Sequence, residues 1–438
     1  GSLFGSSITA ILIKTPGTPA AAATVLDGYP LAQKGKGMKA MKMALYSSVF
    51  GDTFSDIMLI FAAGFLASIA LNFGPPEYTL LTGFSLICIS SLTGNSVWKG
   101  LLSVFLGMII GMIGLDPITA TPRLTFDYLE LEEGIGLIPM LIGTLAVSEA
   151  LRQMEQPIKK LASSTLSFSK NKIDNIVTWA EFKSTLPTIV KSSGLGTLIG
   201  AMPGLGSTIA AFLAYGEAKR SSKFPEKFGK GSLEGVAASE AANNAVSGSN
   251  MIPLLAFGIP GDIAAALIMG AFLIQGITLG PVVFQDNPIE IYAIFAALIV
   301  ANLLNLVLGH GLIKMCKHVV TVPKRLLFPA VLVIASAGAY ALRGSLFDIQ
   351  LVFCFGVLGY LMMKCDIPTV PMLIGFILIP IFEENLRITI LLGSSHDLNI
   401  GFIFTRPAFL TLLLIMMVAS FIVVKRRKLQ NLEKINHK

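Results

Sequence analysis

This sequence predicts an all-α polytopic membrane protein. It is built of two inverted repeats whose helices are broken at Pro-Gly pairs into re-entrant or discontinuous segments. Three observations lead there. Of 438 residues, 53% are hydrophobic and only 13% are charged, about half the charged share of a soluble domain, and the mean hydropathy is +0.74. Pro16-Gly17, Pro203-Gly204 and Pro260-Gly261 recur in one setting: apolar arm, break, small residues. Parts of the two halves also match. Setting Pro16-Gly17 on Pro260-Gly261 lays Ala20-Ala21-Ala22 on Ala264-Ala265-Ala266 and, after a two-residue gap, Gly28 and Gln33 on Gly270 and Gln275. Downstream, Pro139–Gly143 and then Glu149–Arg152 resemble Pro371–Gly375 and then Glu384–Arg387. Two matches in one order argue for a duplicated chain.

The first repeat is assigned to 1–152. Residues 8–33 read as an apolar arm, a break and a second arm, followed by a loop with Lys34, Lys36, Lys39 and Lys42. A span at 44–71 carries Asp52 and Asp56, and Gly74-Pro75-Pro76 closes it. Spans at 78–94 and 98–115 precede a polar loop, 116–134, in which Asp116, Asp127, Glu130, Glu132 and Glu133 face a single Arg123. A span at 135–151 ends the half. Residues 153–183 are a basic linker, expected on the cytoplasmic side.

The second repeat is assigned to 184–424. It opens with an apolar segment at 184–202, the element Pro203–Gly206, and an arm to Ala218. A loop with Lys219, Arg220, Lys223, Lys227 and Lys230 leads into the broken stretch 235–276. Spans follow at 291–313, 326–342, 346–363, 369–382 and 407–424. Those without a proline break are about long enough for roughly 30 Å of hydrocarbon at 1.5 Å per residue. The tail, 425–438, begins Lys425-Arg426-Arg427-Lys428, a cytoplasmic signal. The first half has no room for a counterpart of Pro203–Gly206, and the chain begins without Met. An additional N-terminal part is therefore expected in the natural protein.

Loop charge tests the symmetry. The loop after the first break is basic, whereas its counterpart at 277–290 holds Asp286 and Glu290 without Lys or Arg. The uncharged turn at Gly74-Pro75-Pro76 corresponds to a segment with Lys314, Lys317, Lys324 and Arg325. Basic and non-basic sides exchange between halves, as inverted repeats require, and such repeats place their site at the interface near the midplane.

The chemistry follows from the breaks. Pro removes a backbone donor and Gly permits positive φ, so a helix ends there. The next half-helix then presents free N–H groups and a partial positive charge, which suit a carboxylate or phosphate. The candidate substrate residues are Thr15, Pro16, Gly17 and Thr18; Pro203, Gly204, Gly206, Ser207 and Thr208; Pro260 and Gly261; and Asn243 and Asn244. Asn243, Asn244 and Glu240 are also candidate ligands of a coupling Na⁺. Asp52 and Asp56, at i and i+4, share a face; they read as a cation pair or, preferably, as an interfacial polar face. Lys14 either meets an anionic substrate or snorkels, and Asp27 is expected to cap a turn.

Other classes find little support. The net charge of +7 sits in loops, which fits membrane orientation better than nucleic acid. Cys88, Cys316, Cys354 and Cys365 form no CxxC pair and the histidines are scattered, so neither zinc nor disulfides are expected. No Walker A sequence is present. An intramembrane enzyme would need a base beside a nucleophile such as Ser207, and no His is so placed.

The stretches PGTPAAAATVLDGYPLAQKG (16–35), DPITATPRLTF (116–126), AMPGLGST (201–208) and EGVAASEAANNAVSGSNMIPLLAFGIPGD (234–262) resemble the TctA family. These are the large membrane subunits of tripartite tricarboxylate transporters. The resemblance covers nearly the whole chain. It implies a bacterial inner-membrane protein, a distant likeness to elevator-type ion transporters, and secondary uptake of carboxylates such as citrate. It also implies a Na⁺ or H⁺ gradient as the driving force, no cofactor, and two partners. One is a small four-helix, TctB-like membrane subunit; the other is a periplasmic, TctC-like solute-binding protein. Homo-oligomerisation stays open. The alternative is a stand-alone organic-anion permease, exporter or channel.

Overall fold

The computed structural model describes residues 2–14, 17–92, 96–116, 118–155, 169, 171–202, 206–277, 279–280, 282–319, 324–395, 400–414 and 416–417. The first half contains α1 (Ser2–Ile13), α2 (Ala21–Gln33), α3 (Gly37–Ala70), α4 (Pro75–Leu92) and α5 (Val97–Gly111). A two-residue antiparallel pair follows, β1 (Gly114–Leu115) with β2 (Pro122–Arg123), then α6 (Leu129–Glu132). Next, α7 (Leu137–Leu141) continues through a π-helical stretch, Ile142–Val147, into α8 (Ser148–Glu155). The second half contains α9 (Trp179–Gly200), α10 (Gly206–Ser221), α11 (Leu233–Phe257), α12 (Ile263–Ile274), α13 (Val283–Asp286), α14 (Pro288–Val319), α15 (Lys324–Arg343), α16 (Leu346–Lys364) and α17 (Thr369–Ser395). A further helix covers 407–414. Among the described residues, α3, α14, α16 and α17 contain stretches long and apolar enough to cross a membrane. The protein is all-α and multi-pass.

The helix ends follow from local chemistry. Thr178 and Glu181 form a reciprocal capping box at the start of α9. Ser232 caps α11, and Gly258 ends it at φ 70°, which glycine adopts without strain. Two spans are longer than the hydropathy predicts. α3 begins at Gly37 because Lys39 is neutralised by Glu181 at 2.6 Å. α17 runs past 382 because its charged turn is paired outside the helix. Glu383 meets Arg123 at 2.7 Å and Arg387 at 2.6 Å, and Arg387 meets Asp116 at 2.9 Å.

α11 is the centre of the molecule. It is buried from Gly235 to Ala256 except at Ser247, which explains its many small residues, and it buries polar side chains among them, Glu240, Asn243, Asn244 and Asn250. It packs on α3, α9, α10 and α2. Glycine lets the backbones close up: a Cβ on Gly196 would lie 2.9 Å from Ala242 Cα, one on Gly200 2.9 Å from Val246 Cα, and one on Gly51 3.1 Å from Ala241 Cα.

A second set of helices packs in crossed pairs. α5 lies on α17, where a Cβ on Gly375 would be 2.6 Å from the Val104 carbonyl oxygen. α16 lies on the π-helical stretch, where a Cβ on Gly143 would be 2.5 Å from the Val352 carbonyl oxygen.

The basic segments meet at one end. Lys34 Nζ donates to the Lys230 carbonyl at 2.6 Å, Lys36 pairs with Asp174 at 3.4 Å, and Ser169 N donates to the Gly35 carbonyl at 3.1 Å. Asp27 accepts from Gly231 N and Ser232 N, both at 2.8 Å, and from the Tyr215 hydroxyl at 2.9 Å. It therefore holds a turn, but the turn belongs to the other half.

Candidate functional site

The breaks come together beside α11. Ala20 and Ala23, at the start of α2, cluster with Ala211 near the start of α10. Gly200, which ends α9, reaches the third break: a Cβ on Gly261 would lie 3.5 Å from the Gly200 carbonyl oxygen. The end of α9 thus lies by the third break, and the second turn of α10 lies by the start of α2 that follows the first. Thr15, Pro16, Pro203 and Gly204 lie outside the described residues; Gly17, Thr18, Gly206, Ser207, Thr208, Pro260 and Gly261 are described. Gly206 has φ 66° and opens α10, with Ser207 and Thr208 half-buried in its first turn.

The first and third breaks share a detailed geometry. α1 ends on Lys14 at φ 56° and α11 on Gly258 at φ 70°. Gly17 backs onto Ser6, where a Cβ would lie 2.9 Å from Ser6 Cβ; Gly261 backs onto Asn250, where it would lie 2.5 Å from Oδ1. Thr18 Oγ1 accepts from Ala21 N at 3.4 Å, and Asp262 Oδ1 accepts from Ala265 N at 2.9 Å. Thr18 also shares a 3.0 Å hydrogen bond with Ser6. Lys14 is exposed and lies 5.7 Å from the Tyr29 ring centroid, a cation–π contact.

Glu240 anchors the first arm pair to α11. It is fully buried. Ser7 donates to it at 2.7 Å, Ser48 at 3.1 Å, and Thr24 through a shorter contact. Asn244 Nδ2 donates to Ser48 Oγ at 2.9 Å and to the Glu240 carbonyl at 3.0 Å. Asn243 is equally buried, yet both atoms of its amide lack a partner.

Asp52 and Asp56 are not an interfacial face: they are 9% and 3% exposed. Asp56 accepts from Asn302 Nδ2 of α14 at 2.7 Å, and Gly248 of α11 lies against it. They turn inward because α11 is lined with small residues there, which leaves room for acids on α3.

Comparison with known proteins follows this geometry. The sequence profile of the tripartite tricarboxylate transporter TctA family matches residues 1–374. The chain belongs to the TctA family. Among its relatives is an uncharacterised 52.8 kDa protein of the TAR-I ttuC′ 3′ region of Agrobacterium vitis. The two are 37% identical over 388 residues, which is 88% of this chain and 76% of the relative. An uncharacterised protein of the TAR-II ttuC′ 3′ region of the same organism is 42% identical over 192 residues, 44% of this chain and 79% of the relative. No solved structure matches. As a TctA-family member the chain is a component of a tricarboxylate transporter, in a family that implies partner subunits.

In this TctA-family chain several site neighbours escape the sequence reading. Ser6, Ser7 and Ser48 lie in no motif, and Thr24 lies in the 16–35 stretch without a marked role; only the fold brings them to Thr18 and Glu240. Asn250 and Asp262 had a usable signal. The offset that places Pro16-Gly17 on Pro260-Gly261 also places Ser6 on Asn250 and Thr18 on Asp262.

Proposed function

We propose that this TctA-family chain is the large membrane subunit of a secondary carrier that takes up tricarboxylates or related carboxylates with a cation gradient. The observation that carries the reading is the meeting of three chain breaks against a buried, polar α11. Broken backbone in a membrane persists only where it is covered by protein or lines a cavity, and helix starts at such breaks suit anionic substrate groups. In this reading Thr15–Thr18 and Pro203–Thr208 supply hydroxyls and free N–H groups to substrate carboxylates. Pro260-Gly261 closes the pocket on the α11 side. The coupling cation is held along α11, where Glu240, Asn243, Asn244 and Asn250 are the buried polar groups.

Inverted repeats are part of the proposal. A constant offset relates Lys14 to Gly258, Ser6–Gly17 to Asn250–Gly261, and Thr18–Ala21 to Asp262–Ala265. The directions oppose: Leu12 of α1 approaches Gly37 at the basic end, whereas α11 starts at that end. The crossed packing agrees, since matched Gly143 and Gly375 each sit on the long helix that precedes the matched segment of the other half, α16 and α5. Domain limits at 1–152 and 184–424, with a cytoplasmic linker, follow from this. Movement of the α1–α2–α3–α9–α10–α11 bundle against the α4–α5–α17 and α16–α7–α8 set would alternate access.

The partners are the small membrane subunit and the periplasmic binding protein that a tripartite system requires. The test is uptake of labelled citrate and other di- and tricarboxylates by cells expressing the full-length subunit with and without both partners, with and without Na⁺. Uptake that needs all three proteins and one cation supports the reading. Uptake by this chain alone makes it a stand-alone permease. Absence of carboxylate uptake with all three present defeats the substrate assignment.

A further inference from the structure

The first and third breaks share a frame but not a chemistry. At the first, the residues on the frame are Ser6 and Thr18, hydroxyls bonded to each other. At the third they are Asn250 and Asp262. Asn250 is 1% exposed, its amide oxygen has no hydrogen-bond partner among the described residues, and its amide interacts with the Asp262 side chain beside it. An amide buried that way costs free energy unless something partners it. A Cβ on Gly261 would fall 2.5 Å from Asn250 Oδ1 and 3.5 Å from the Gly200 carbonyl oxygen, so only glycine lets the break approach both oxygens. That carbonyl belongs to the last turn of α9, whose final carbonyls take their partners from outside the helix. Oxygens of α11 and of the end of α9 therefore converge on Gly261, with the Asp262 carboxylate next to it in the chain.

We propose that the break at Gly258–Asp262 is a monovalent-cation site of the Na⁺ class, formed by Asn250 Oδ1, the Gly200 carbonyl and the Asp262 carboxylate. The inference rests on the carrier reading and narrows it: the coupling ion sits here, and the substrate anion at the hydroxyl-lined breaks. The alternatives fit less well. A substrate carboxylate is disfavoured because Asp262 already caps α12 and repels a second anion. A divalent ion would leave one charge uncompensated in a low-dielectric interior. A proton would give Asn250 and the Gly200 carbonyl no role. Further along α11, Glu240 is already served by three hydroxyl donors and Asn244 by its own bonds.

The test is binding of ²²Na⁺ to the purified full-length chain, without substrate, competed with unlabelled NaCl. Three variants probe the site. Asp262→Ser keeps a good N-cap while removing the charge, Asn250→Ala removes the amide oxygen, and Gly261→Ala displaces the Asn250 amide. Thr18→Ala serves as the control at the equivalent break. Thermal unfolding checks that each variant is folded. Saturable binding in the natural protein, at least tenfold weaker in Asp262→Ser and Asn250→Ala and unchanged in Thr18→Ala, is the expected result. No saturable binding in the natural protein, or unchanged binding in both folded site variants, overturns the site. Uptake is scored separately. Na⁺-dependent uptake that survives Asp262→Ser overturns the site and spares the carrier. Na⁺ binding lost in Asp262→Ser, together with no carboxylate uptake by the full system, upholds the site and removes the carrier.

Discussion

Replacing Gly196 by Ala tests the contact on which the site depends. Gly196 and Gly194 both lie in α9, two residues apart. A Cβ on Gly196 would fall 2.9 Å from Ala242 Cα and 3.0 Å from its carbonyl carbon, whereas one on Gly194 meets nothing within 4 Å. Carbon atoms prefer about 3.5–4.0 Å, so α9 and α11 would have to part by several tenths of an ångström or more. Backbone cannot yield as a flexible side chain does. Overpacking of this kind costs about 1–3 kcal/mol. The gain in helix propensity, up to about 1 kcal/mol in aqueous peptides, is common to both substitutions and cancels in their difference. Gly194→Ala should therefore match or exceed the parent in thermal stability in detergent, and Gly196→Ala should fall a few degrees below it. Carboxylate uptake should fall with Gly196→Ala alone, since α9 carries Gly200 to Gly261. Equal melting temperatures for the two variants would mean that α9 does not meet α11 on this face, and the meeting of the second and third breaks would fall with it.

Glu240→Leu should lower stability by about 2–4 kcal/mol, because it strands the hydroxyls of Ser7, Thr24 and Ser48 in a dry interior. Glu240→Gln keeps an acceptor and should lose less, and denaturation in mixed detergent ranks the two. The loop at 116–134 should loosen in acid. Backbone donors from Thr119 and Ile118, and then Arg387, hold the Asp116 carboxyl below its ordinary range. Its contribution is full above the unfolded value near pH 4 and is lost as pH falls below it. Pepsin cleavage in this loop, corrected for the protease's own pH profile, should therefore stay low down to about pH 4 and rise progressively below it, and a flat profile from pH 4 to pH 2 would refute the assignment. Arg387→Ala should give the same opening at pH 5. For topology, Lys223→Cys and Glu130→Cys in a background without other cysteines should react with an impermeant maleimide from opposite sides. Reaction from one side would contradict the proposed orientation.

How much was legible in the sequence depends on what each feature needs. Helix positions follow from hydropathy and from Pro and Gly, so the spans from 78 to 115 and from 291 to 363 match α4, α5, α14, α15 and α16 closely. Misjudged ends occur where a charge is paired at long range. Lys39 looks like loop until Glu181 neutralises it, and Glu383 and Arg387 look like a span end until Asp116 and Arg123 meet them. The breaks were legible because Pro-Gly has a local meaning. The inward turn of Asp52 and Asp56 was not, because an i, i+4 pair shares a face without saying which. Gly248 and Asn302 decide it, and both are distant in the chain. The donors to Glu240 are hidden for the same reason: Ser7, Thr24 and Ser48 come from three helices, and nothing local marks a serine that will face a buried acid.

The proposed pair of unlike breaks gives coupling a physical form. Side-chain hydrogen bonds and ion pairs described above stay within one helix set or the other. The bundle of α1, α2, α3, α9, α10 and α11 is tied internally by Asp27, Glu240 and Lys39, and to α14 by Asn302. The opposing set is tied by Arg123, Arg387 and the glycine contacts of α5 and α16. Where α12 meets α7, Gly270 packs closely against Leu137, an apolar contact. A bundle moving across such a surface carries its charges through low dielectric, and an unbalanced carboxylate there is expensive. Asp262 without a cation holds the bundle back; a bound monovalent ion cancels that charge. The end of α9 lies by Gly261 and Ala211 of α10 by Ala20, so in the proposed site a bound ion would also bear on Ser207 and Thr208 at the start of α10. Substrate binding and cation binding then strengthen each other by the same factor, as linkage requires. Exchanging the chemistries, with Asp at Thr18 and Thr at Asp262, should uncouple them even if both variants remain folded.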